Sequence, residues 1–533
     1  MNPVAAALTA ATVALAGCTG SGEPEVAEPR TVQGFAGMVA ADAPRAAMVG
    51  REILGNNGNA VDAAVGMAFT MAVTLPSRAG LGGGGACVVH KRDDRVQQAL
   101  LFFPGVGDGG AAVPGLARGM AALHARHGLT RWAELVRPAE ELAAFGYEVT
   151  RAFRQDLARG RDRLGPDARR MFLGADGGLP EVGQRLKRPA LGTALAGIRQ
   201  RGAGHLTTGS FARGLVEGAQ AAGHGLALAD LRDQVPAYVA PATASFGEHT
   251  LVTPPAPVGG AASVPAAWTR LGEAGPGEAG DAQRWQGLFE AWRAAARESR
   301  ESGTADAFAG ADGAAAGPGD VGAGFAVGDR FGNMVACGLT MNALFGSGDV
   351  AGGTGILMAE PMPAARAARA VAPAVIGNTY NGRGLFAATA TGGGVPGAVM
   401  LDVLARIDAA GGIARPYTTV AEGVKRTQQR REGAANRGAG AGMSVAASRA
   451  ARIAPLVNAA RVGLAADGGA VRYERGVPAA IPDGLQKAGY QVMPVRAVGR
   501  ISVVHCPRGP VESPGSCTAA ADPRGNGLAV IAR

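Results

Sequence analysis

The chain has 533 residues, of which 47% are hydrophobic and 18% charged, which is enough to bury a large core in one big domain or two intertwined ones. Its net charge of +9 comes from scattered arginines, and aromatic residues make up only 5% of the chain. A nucleic-acid-binding surface clusters its basic residues and places aromatic side chains among them, so the composition argues against a nucleic-acid partner.

The first 18 residues resemble a bacterial lipoprotein signal peptide. Residues 4–16 form an apolar stretch that is too short to span a membrane, and the following Gly17-Cys18 completes a lipobox-like end. In such signals the chain is cut before the cysteine, which is then lipidated. We therefore expect an exported protein that is anchored to the cell envelope through Cys18, on the periplasmic face and at the outer membrane in a Gram-negative cell. Residues 1–5 contain no Lys or Arg, which leaves a plain apolar N terminus as the alternative.

Residues 19–38 are rich in Gly, Pro, Glu and Ser, a composition typical of a flexible tether. Farther along, Cys506 and Cys517 close a short Pro/Gly-rich loop, and in an oxidising compartment we expect them to form a disulfide. Cys87 and Cys337 lie in apolar runs, and we expect two buried free thiols there. No Cys/His spacing indicates zinc, and we expect no metal or other cofactor.

Helical and strand-like segments interleave along the chain. The helical segments are 45–75, with a break at 55–59, two helices within 113–150, most of 150–250, and 264–303. The strand-like runs are ACVVH after residue 85, the start of 251–262 before a Pro/Gly turn, GFAVGD, GNMVACGLT, GLFAATAT, VRYER, YQVMPVRAV and ISVVHC. Low-complexity stretches at 305–324 and 424–450 are predicted to be loops. This alternation predicts a layered α/β fold.

Six short motifs then stand in a fixed order along residues 39–533. They are GNAVDAA at 58–64, LGGGG at 81–85, VPG at 113–115 followed by Trp132 and Pro138-Ala139, PP at 254–255 with GG at 259–260, the segment from Asp329 to Gly348, and DPR at 522–524. In this order and spacing they resemble the γ-glutamyltransferase family. The resemblance implies the four-layer αββα fold of N-terminal-nucleophile hydrolases. It also implies γ-glutamyl transfer or hydrolysis of glutathione, with 39–321 as a large-subunit-like and 322–533 as a small-subunit-like region.

Family members cut their own chain to expose a threonine, which attacks the γ-glutamyl amide while its α-amine acts as the base. The register set by Asp329, Gly332 and Asn333 places this threonine at Gly322, which has no side chain. The neighbouring Ala323 cannot replace it. We therefore predict that the nucleophile is lost and that the two regions stay joined.

The residues that hold the substrate are changed as well. Where the family has an arginine for the glutamate carboxylate, this chain has Phe103, and where it has a serine pair, this chain has Arg369 and Ala370. The acidic pair that holds the α-amine falls on Pro363 and Ala364, with Glu360 one residue away from a further polar position. The retained positions are Thr340 and Asn342 in the pocket, and Gly392 and Gly393, whose family counterparts form the oxyanion hole. For the two glycines we favour a structural role.

These differences predict a catalytically degenerate protein that acts as a binding or scaffold protein. The alternative is an active γ-glutamyltransferase or amidase with another nucleophile, for which the nearest hydroxyls are Thr304, Thr340 and Thr354. A third hypothesis is a receptor for a different small molecule, in a pocket lined by Phe103 and Arg369. The expected partners are thus a small-molecule ligand and, through the lipid anchor, a membrane.

Overall fold

The computed structural model describes residues 34–256, 258–274, 282–301, 321–363, 368–392, 396–410, 453–464 and 470–533. The predicted signal peptide with Cys18, most of the tether, Thr304, Ala364, Gly393 and the 424–450 stretch lie outside these residues. None of the described helices is both long enough and apolar enough to cross a membrane.

The described part of the chain contains 22 strands and 14 α-helices. The strands are β1 (Gly37–Ala41), β2 (Gly84–Lys91), β3 (Val96–Leu101), β4 (Gly105–Val106), β5 (Ala112–Val113), β6 (Tyr147–Glu148), β7 (Arg185–Leu186), β8 (Ala237–Val239), β9 (Ala242–Phe246), β10 (His249–Thr253), β11 (Ala323–Asp329), β12 (Met334–Thr340), β13 (Val350–Ala351), β14 (Ile356–Leu357), β15 (Val371–Gly377), β16 (Gly384–Thr391), β17 (Val462–Leu464), β18 (Ala470–Glu474), β19 (Gln491–Val495), β20 (Arg500–His505), β21 (Thr518–Ala521) and β22 (Leu528–Ala532). The helices are α1 (Pro44–Gly55), α2 (Ala60–Thr74), α3 (Leu116–His127), α4 (Trp132–Phe145), α5 (Arg151–Gly160), α6 (Pro166–Phe172), α7 (Pro189–Arg201), α8 (Gly209–Ala221), α9 (Leu228–Asp233), α10 (Gly259–Ala274), α11 (Ala282–Glu301), α12 (Pro396–Ala409), α13 (Ile453–Asn458) and α14 (Ala480–Lys487).

Two antiparallel sheets face each other at the centre of the fold. The first has seven strands in the order β22-β1-β11-β12-β2-β3-β8, and the second has six in the order β21-β20-β16-β15-β10-β9. Helices α1 and α2 cover the outer face of the first sheet, and α10 and α12 cover the outer face of the second. Separate apolar cores fill the three interlayer spaces. The predicted αββα fold is thus confirmed. Strands from 39–321 and 322–533 interleave in the first sheet, and in the second sheet β15 of the later region pairs with β10 of the earlier one.

The GNAVDAA motif forms the N terminus of helix α2. The Asn59 side chain caps the backbone N–H of Asp62, and the Asp62 carboxylate accepts from the backbone N–H of Asn59, so the two form a capping box at the start of α2. Every residue of α2 is buried, as its nearly all-apolar sequence predicts. The Asp62 carboxylate also accepts from the backbone N–H groups of Leu129 and Thr130, which ties α2 to the start of α4.

Asp329 joins two of the distant motifs. Its carboxylate accepts from the backbone N–H of Ala60 at 2.8 Å, and from Phe331 N, Asn333 N and Asn333 Nδ2 in its own turn. Burial raises the pKa of this carboxyl, while these N–H donors act in the opposite direction. The motif beginning at Asp329 is therefore an anchor that fixes β11 and β12 against α2.

Some local predictions were wrong. The glycines at 259–260 do not form a turn but begin α10, whose N-terminal half packs under the second sheet. The end of the stretch predicted to be mainly helical forms β8 and β9, because both strands pair at sheet edges. Tertiary pairing overrides weak local preferences in such short strands.

Two disulfides lie within the described part of the chain. Cys506 and Cys517 are bonded, as expected. The expectation of free thiols at Cys87 and Cys337 was wrong, because these residues lie directly opposite each other on the adjacent strands β2 and β12 and are bonded. The sequence separation of 250 residues hid this pairing.

Candidate active site

Gly322 directly precedes β11 at the centre of the first sheet. Its backbone has a φ of +94°, a conformation that β-branched side chains rarely adopt. A Cβ atom at this position would lie 2.9 Å from the carbonyl oxygen of Ala370 and 3.1 Å from Val371 Cγ1. The carbonyl oxygen of Gly322 accepts a hydrogen bond from Arg500 Nη2 at 3.0 Å. The position that the resemblance assigns to the nucleophile is therefore shaped for glycine.

The space beside β11 is filled by two threonines of β16. A Cβ atom at Gly324 would lie 2.5 Å from Thr389 Cγ2 and 3.1 Å from Thr391 Cγ2. The Thr391 hydroxyl donates to Asp42 Oδ2 at 3.2 Å, and the backbone N–H of Gly324 donates to the same oxygen at 2.9 Å. A larger residue at 324 would require the side chains of Thr389 and Thr391 to move.

A buried cluster of charged side chains lies next to Gly322. Arg78, in the loop after α2, makes a two-pronged ion pair with Asp156 of α5, through Nε at 2.7 Å and Nη2 at 2.6 Å. The Ser77 hydroxyl donates to the same carboxylate. Arg500 is at the start of β20, and its Nε lies 3.8 Å from Asp42 Oδ2. The side chains of both arginines are 3% exposed.

The arginines of this cluster influence one another. Burial and, after it, the positive charge of Arg78 lower the pKa of Arg500 to about 10, while the carboxylates of Asp42 and Asp156 act in the opposite direction. Burial lowers the pKa of Arg159, and among its neighbours Arg78, Arg496 and Arg500 act in the same direction. The cluster therefore holds several arginines within electrostatic range of one another, together with the carboxylates of Asp42 and Asp156.

The retained pocket residues Thr340 and Asn342 lie together at the end of β12. Thr340 Oγ1 accepts from the backbone N–H of Asn342, which has a φ of +67°. Asn342 Nδ2 donates to the backbone carbonyl of Glu360, whose carboxylate pairs with Arg163. Asn342 Oδ1 is buried without a hydrogen-bond partner among the described residues. The structure therefore brings Asn342 and Glu360 together, although they are 18 residues apart.

The altered substrate-binding positions differ in burial. Phe103 is 6% exposed and packs into the core beneath the second sheet, so its ring belongs to that core. Arg369 and Ala370 lie in the 3-10 turn Ala368–Ala370 and are partly buried, while Pro363 is exposed.

Gly392 has a φ of +67°, and its N–H donates to the Ala370 carbonyl at 3.4 Å. This geometry accounts for a glycine at 392 on structural grounds.

Two of the three hydroxyls considered as alternative nucleophiles, those of Thr340 and Thr354, lie in the described residues and stabilise turns. The Thr354 hydroxyl donates to the Ala351 carbonyl at 2.6 Å and accepts from Ile356 N, which fixes the β13–β14 turn. Thr340 Oγ1 supports the Asn342 turn.

Sequence reasoning missed the charged cluster. Its four arginines, at 78, 159, 496 and 500, were counted among the scattered arginines that give the net charge. A signal was available, since Arg78 interrupts a glycine-rich loop and Arg500 opens the apolar run ISVVHC.

The two facing antiparallel sheets between helical layers define the N-terminal-nucleophile hydrolase fold. A cephalosporin acylase from Bacillus halodurans has this fold, with a TM-score of 0.69 over 97% of this chain and 99% of the acylase, at 18% identity. The sequence profile of the gamma-glutamyltranspeptidase family matches residues 46–103 and 95–315, together just over half of the chain. The chain belongs to the gamma-glutamyltranspeptidase family.

Curated relatives agree with this assignment. Glutathione hydrolase 5 proenzyme of Mus musculus is 32% identical over 246 residues, which cover 42% of this chain and 43% of the mouse protein. Glutathione hydrolase 7 of Homo sapiens is 30% identical over 283 residues, which cover 48% of this chain and 40% of the human protein. The matched segments thus span less than half the length of these relatives.

Proposed function

We propose that this protein is a catalytically degenerate member of the gamma-glutamyltranspeptidase family that binds a small ligand without turning it over. The observation that carries the proposal is the geometry at Gly322. Nucleophilic catalysis requires a hydroxyl or thiol and a base within hydrogen-bond reach. At the position of the family threonine this chain has a left-handed glycine whose carbonyl is held by Arg500.

The residues at the family's substrate-binding and oxyanion-hole positions give independent support. An enzyme that lacks its nucleophile can keep roughly a thousandfold of catalysis from substrate binding and the oxyanion hole. Here the Phe103 ring lies in the core, and the Gly392 N–H donates to the Ala370 carbonyl. Neither group is then placed to hold a glutamyl carboxylate or a developing oxyanion.

The proposal includes attachment to the cell envelope through Cys18, on the evidence of the apolar stretch and lipobox-like residues that precede it. The Cys18→Ala variant should move from the membrane fraction to the soluble exported fraction. A variant that stays with the membrane would contradict this part of the proposal.

The experiment that tests the catalytic part is a denaturing gel of the mature protein beside an assay with a γ-glutamyl anilide. The proposal predicts one intact band and no release of the aniline. Two bands that meet at residue 322, together with turnover, would contradict it and favour an active γ-glutamyltransferase or amidase.

A further inference from the structure

Three strand-connecting turns come together at the end of the sheets that lies away from Gly322. They are the β2–β3 turn at residues 92–95, the β11–β12 turn at 330–333 and the β15–β16 turn at 378–383. Arg92 contacts the other two turns. Its backbone N–H donates to Asn333 Oδ1 at 3.1 Å, and its carbonyl oxygen would lie 2.6 Å from a Cβ atom at Gly382.

The loop closed by the Cys506–Cys517 disulfide joins the same surface. Its Glu512 carboxylate accepts from Arg92 Nη2 at 3.1 Å and lies 3.4 Å from Arg383 Nε, so the loop is tied to the first and third turns. We call this surface the turn face, and it comprises residues 92–95, 330–333, 378–383 and 506–517.

Large apolar side chains are exposed on the turn face. Tyr380 is 86% exposed, Val511 43% and Phe331 36%, and each lies on a different segment of the face. The guanidinium group of Arg330 lies 4.9 Å from the centre of the Phe331 ring. Aromatic rings with a cation beside them suit a bilayer interface, where the ring meets acyl chains and the cation meets headgroups.

The turn face and its immediate neighbours have a small excess of positive charge. Lys91 ends β2, and Glu248 lies in the β9–β10 turn, where its backbone carbonyl accepts from Asn378 Nδ2. With these two included, the basic side chains are Lys91, Arg92, Arg95, Arg330, Arg383 and Arg508, and the acidic ones are Asp93, Asp94, Glu248 and Glu512. This excess adds attraction to anionic headgroups, while the apolar side chains provide most of the affinity.

The chain enters the first sheet at this same end. The backbone N–H of Arg330 donates to the Ala36 carbonyl oxygen at 3.0 Å, which places the residue just before β1 against the turn face. Cys18 precedes Ala36 by 18 residues, and a chain of that length spans at most about 65 Å. A lipid on Cys18 therefore keeps the turn face within that distance of the bilayer.

We propose that the turn face docks on the surface of a lipid bilayer with anionic headgroups, with Phe331, Tyr380 and Val511 inserted at the interface. This inference rests on the proposed function, because the lipid on Cys18 brings the face to the membrane. Gly322 lies at the other end of β11, a strand of seven residues that is about 23 Å long. The candidate active site then lies on the side away from the bilayer, and its ligand approaches from the aqueous compartment.

The test is cosedimentation of the Cys18→Ala chain, taken from the soluble exported fraction, with lipid vesicles. One set contains phosphatidylethanolamine with about a quarter phosphatidylglycerol, and the other contains phosphatidylcholine alone. We expect saturable binding to the anionic vesicles, about tenfold tighter than to the zwitterionic ones. Tyr380→Ser and Val511→Ser, each made in this chain, should bind about threefold to tenfold more weakly, because each removes an inserted apolar side chain.

The matched control is Phe145→Ser, which removes an aromatic ring that is 70% exposed at the end of α4. This end of α4 lies beside the end of α2, since Arg188 donates to the carbonyl oxygens of both Ala143 and Ala72. The start of α2, 15 residues and about 22 Å away, is the end that is bound to Asp329 beside the turn face. Phe145→Ser should therefore bind vesicles as the Cys18→Ala chain does.

Absence of saturable binding to the anionic vesicles, or equal weakening in Phe145→Ser, would overturn the docking face. Self-association without vesicles that Tyr380→Ser weakens would instead assign the face to a contact between two copies of this chain. Mass spectrometry of the unmodified mature protein separates the two proposals. Vesicle binding with no lipid on Cys18 would overturn the anchor in the proposed function alone, whereas a lipidated Cys18 without vesicle binding by the Cys18→Ala chain would overturn the docking face alone.

Discussion

Arg500 donates a hydrogen bond from Nη2 to the carbonyl oxygen of Gly322 at 3.0 Å, across a sequence separation of 178 residues. The contact holds the backbone at the position where the family has its nucleophile. With the left-handed φ of Gly322 and the nearby Ala370 carbonyl, it makes this position unsuitable for a β-branched residue. The backbone and its neighbours at residue 322 therefore favour a glycine.

Adding a side chain at residue 322 should destabilise the fold. Gly322→Ala is expected to lower the free energy of unfolding by about 2–3 kcal/mol, since the new Cβ is strained and contacts the Ala370 carbonyl. The control is Gly177→Ala, which has a similar φ of +77° with no atom near its Cβ position, and which should cost about 1 kcal/mol. Urea unfolding measures both, and equal losses would mean that the contacts at Gly322 do not matter.

Restoring the family residue should not restore the reaction. We expect Gly322→Thr to be less stable than the unmodified protein and not to turn over glutathione, because Phe103 and Ala370 still offer no charged partner for the glutamyl carboxylate. An amino-acid assay for released glutamate measures this. Turnover at roughly 1 per second or more would contradict the prediction.

The two disulfides should differ in their contribution to stability. In the chain-entropy model, loss of Cys87–Cys337, which are 250 residues apart, costs about 5 kcal/mol. Loss of Cys506–Cys517, 11 residues apart, costs about 3 kcal/mol. Paired Cys→Ala variants, compared by urea unfolding, should follow this order, and the intact protein should contain no reactive thiol among these four residues. Titration of a thiol at Cys87 or Cys337 would contradict the structure.

The pair of Arg78 and Asp156 should be sensitive to loss of one partner. Asp156→Asn leaves a buried guanidinium without its counter-charge, and we expect about 3–5 kcal/mol of destabilisation. The double variant Arg78→Met with Asp156→Asn should be more stable than the single variant, since no unpaired charge remains. The surface control Glu134→Gln, which breaks an exposed pair with Arg131, should change stability by less than about 1 kcal/mol. A double variant as unstable as the single one would contradict this account.

Acid should weaken the fold through buried histidines. His90 Nε2 donates to the Gly382 carbonyl and its Nδ1 accepts from Gln97, a pattern that requires the neutral ring. Burial lowers the pKa of His90 below its usual 6.5, and the pKa values of His127, His205 and His249 are lowered as well. The unfolded chain therefore binds protons that the folded chain excludes. Stability is fully present above about pH 6.5 and falls as the pH drops below it, by at most about 1.4 kcal/mol per pH unit per histidine.

Urea unfolding between pH 7.5 and pH 5 measures this slope. His90→Gln should reduce it, because Gln can keep a hydrogen bond to Gly382 but does not titrate. A slope unchanged by the substitution would show that other groups produce the pH dependence.

The sequence predicted the elements that carry strong patterns. The all-apolar helix after Asn59 and the strands around Val327, Ala336 and Ala388 were placed correctly, because burial on both faces gives continuous apolar runs. Helix α12 was not predicted, since the same apolar character also suits a strand.

The geometry of the candidate active site was harder to predict from the sequence. The register from Asp329 located Gly322, but neither its left-handed backbone nor its contact with Arg500 leaves a local pattern. The charged cluster joins residues as far apart in sequence as Arg78 and Arg500, and only the fold brings them together. The Cys87–Cys337 bond was missed for the same reason, because strand pairing across 250 residues determines it.

The most direct test of the central claim is the initial rate at which the purified mature protein releases aniline from a γ-glutamyl anilide, with a glycyl-glycine acceptor present and absent. The account predicts a rate indistinguishable from that of buffer, whether or not the acceptor is added, because no hydroxyl stands at residue 322. Saturable release at roughly 1 per second or more would contradict it, and would show that another group of this chain acts as the nucleophile.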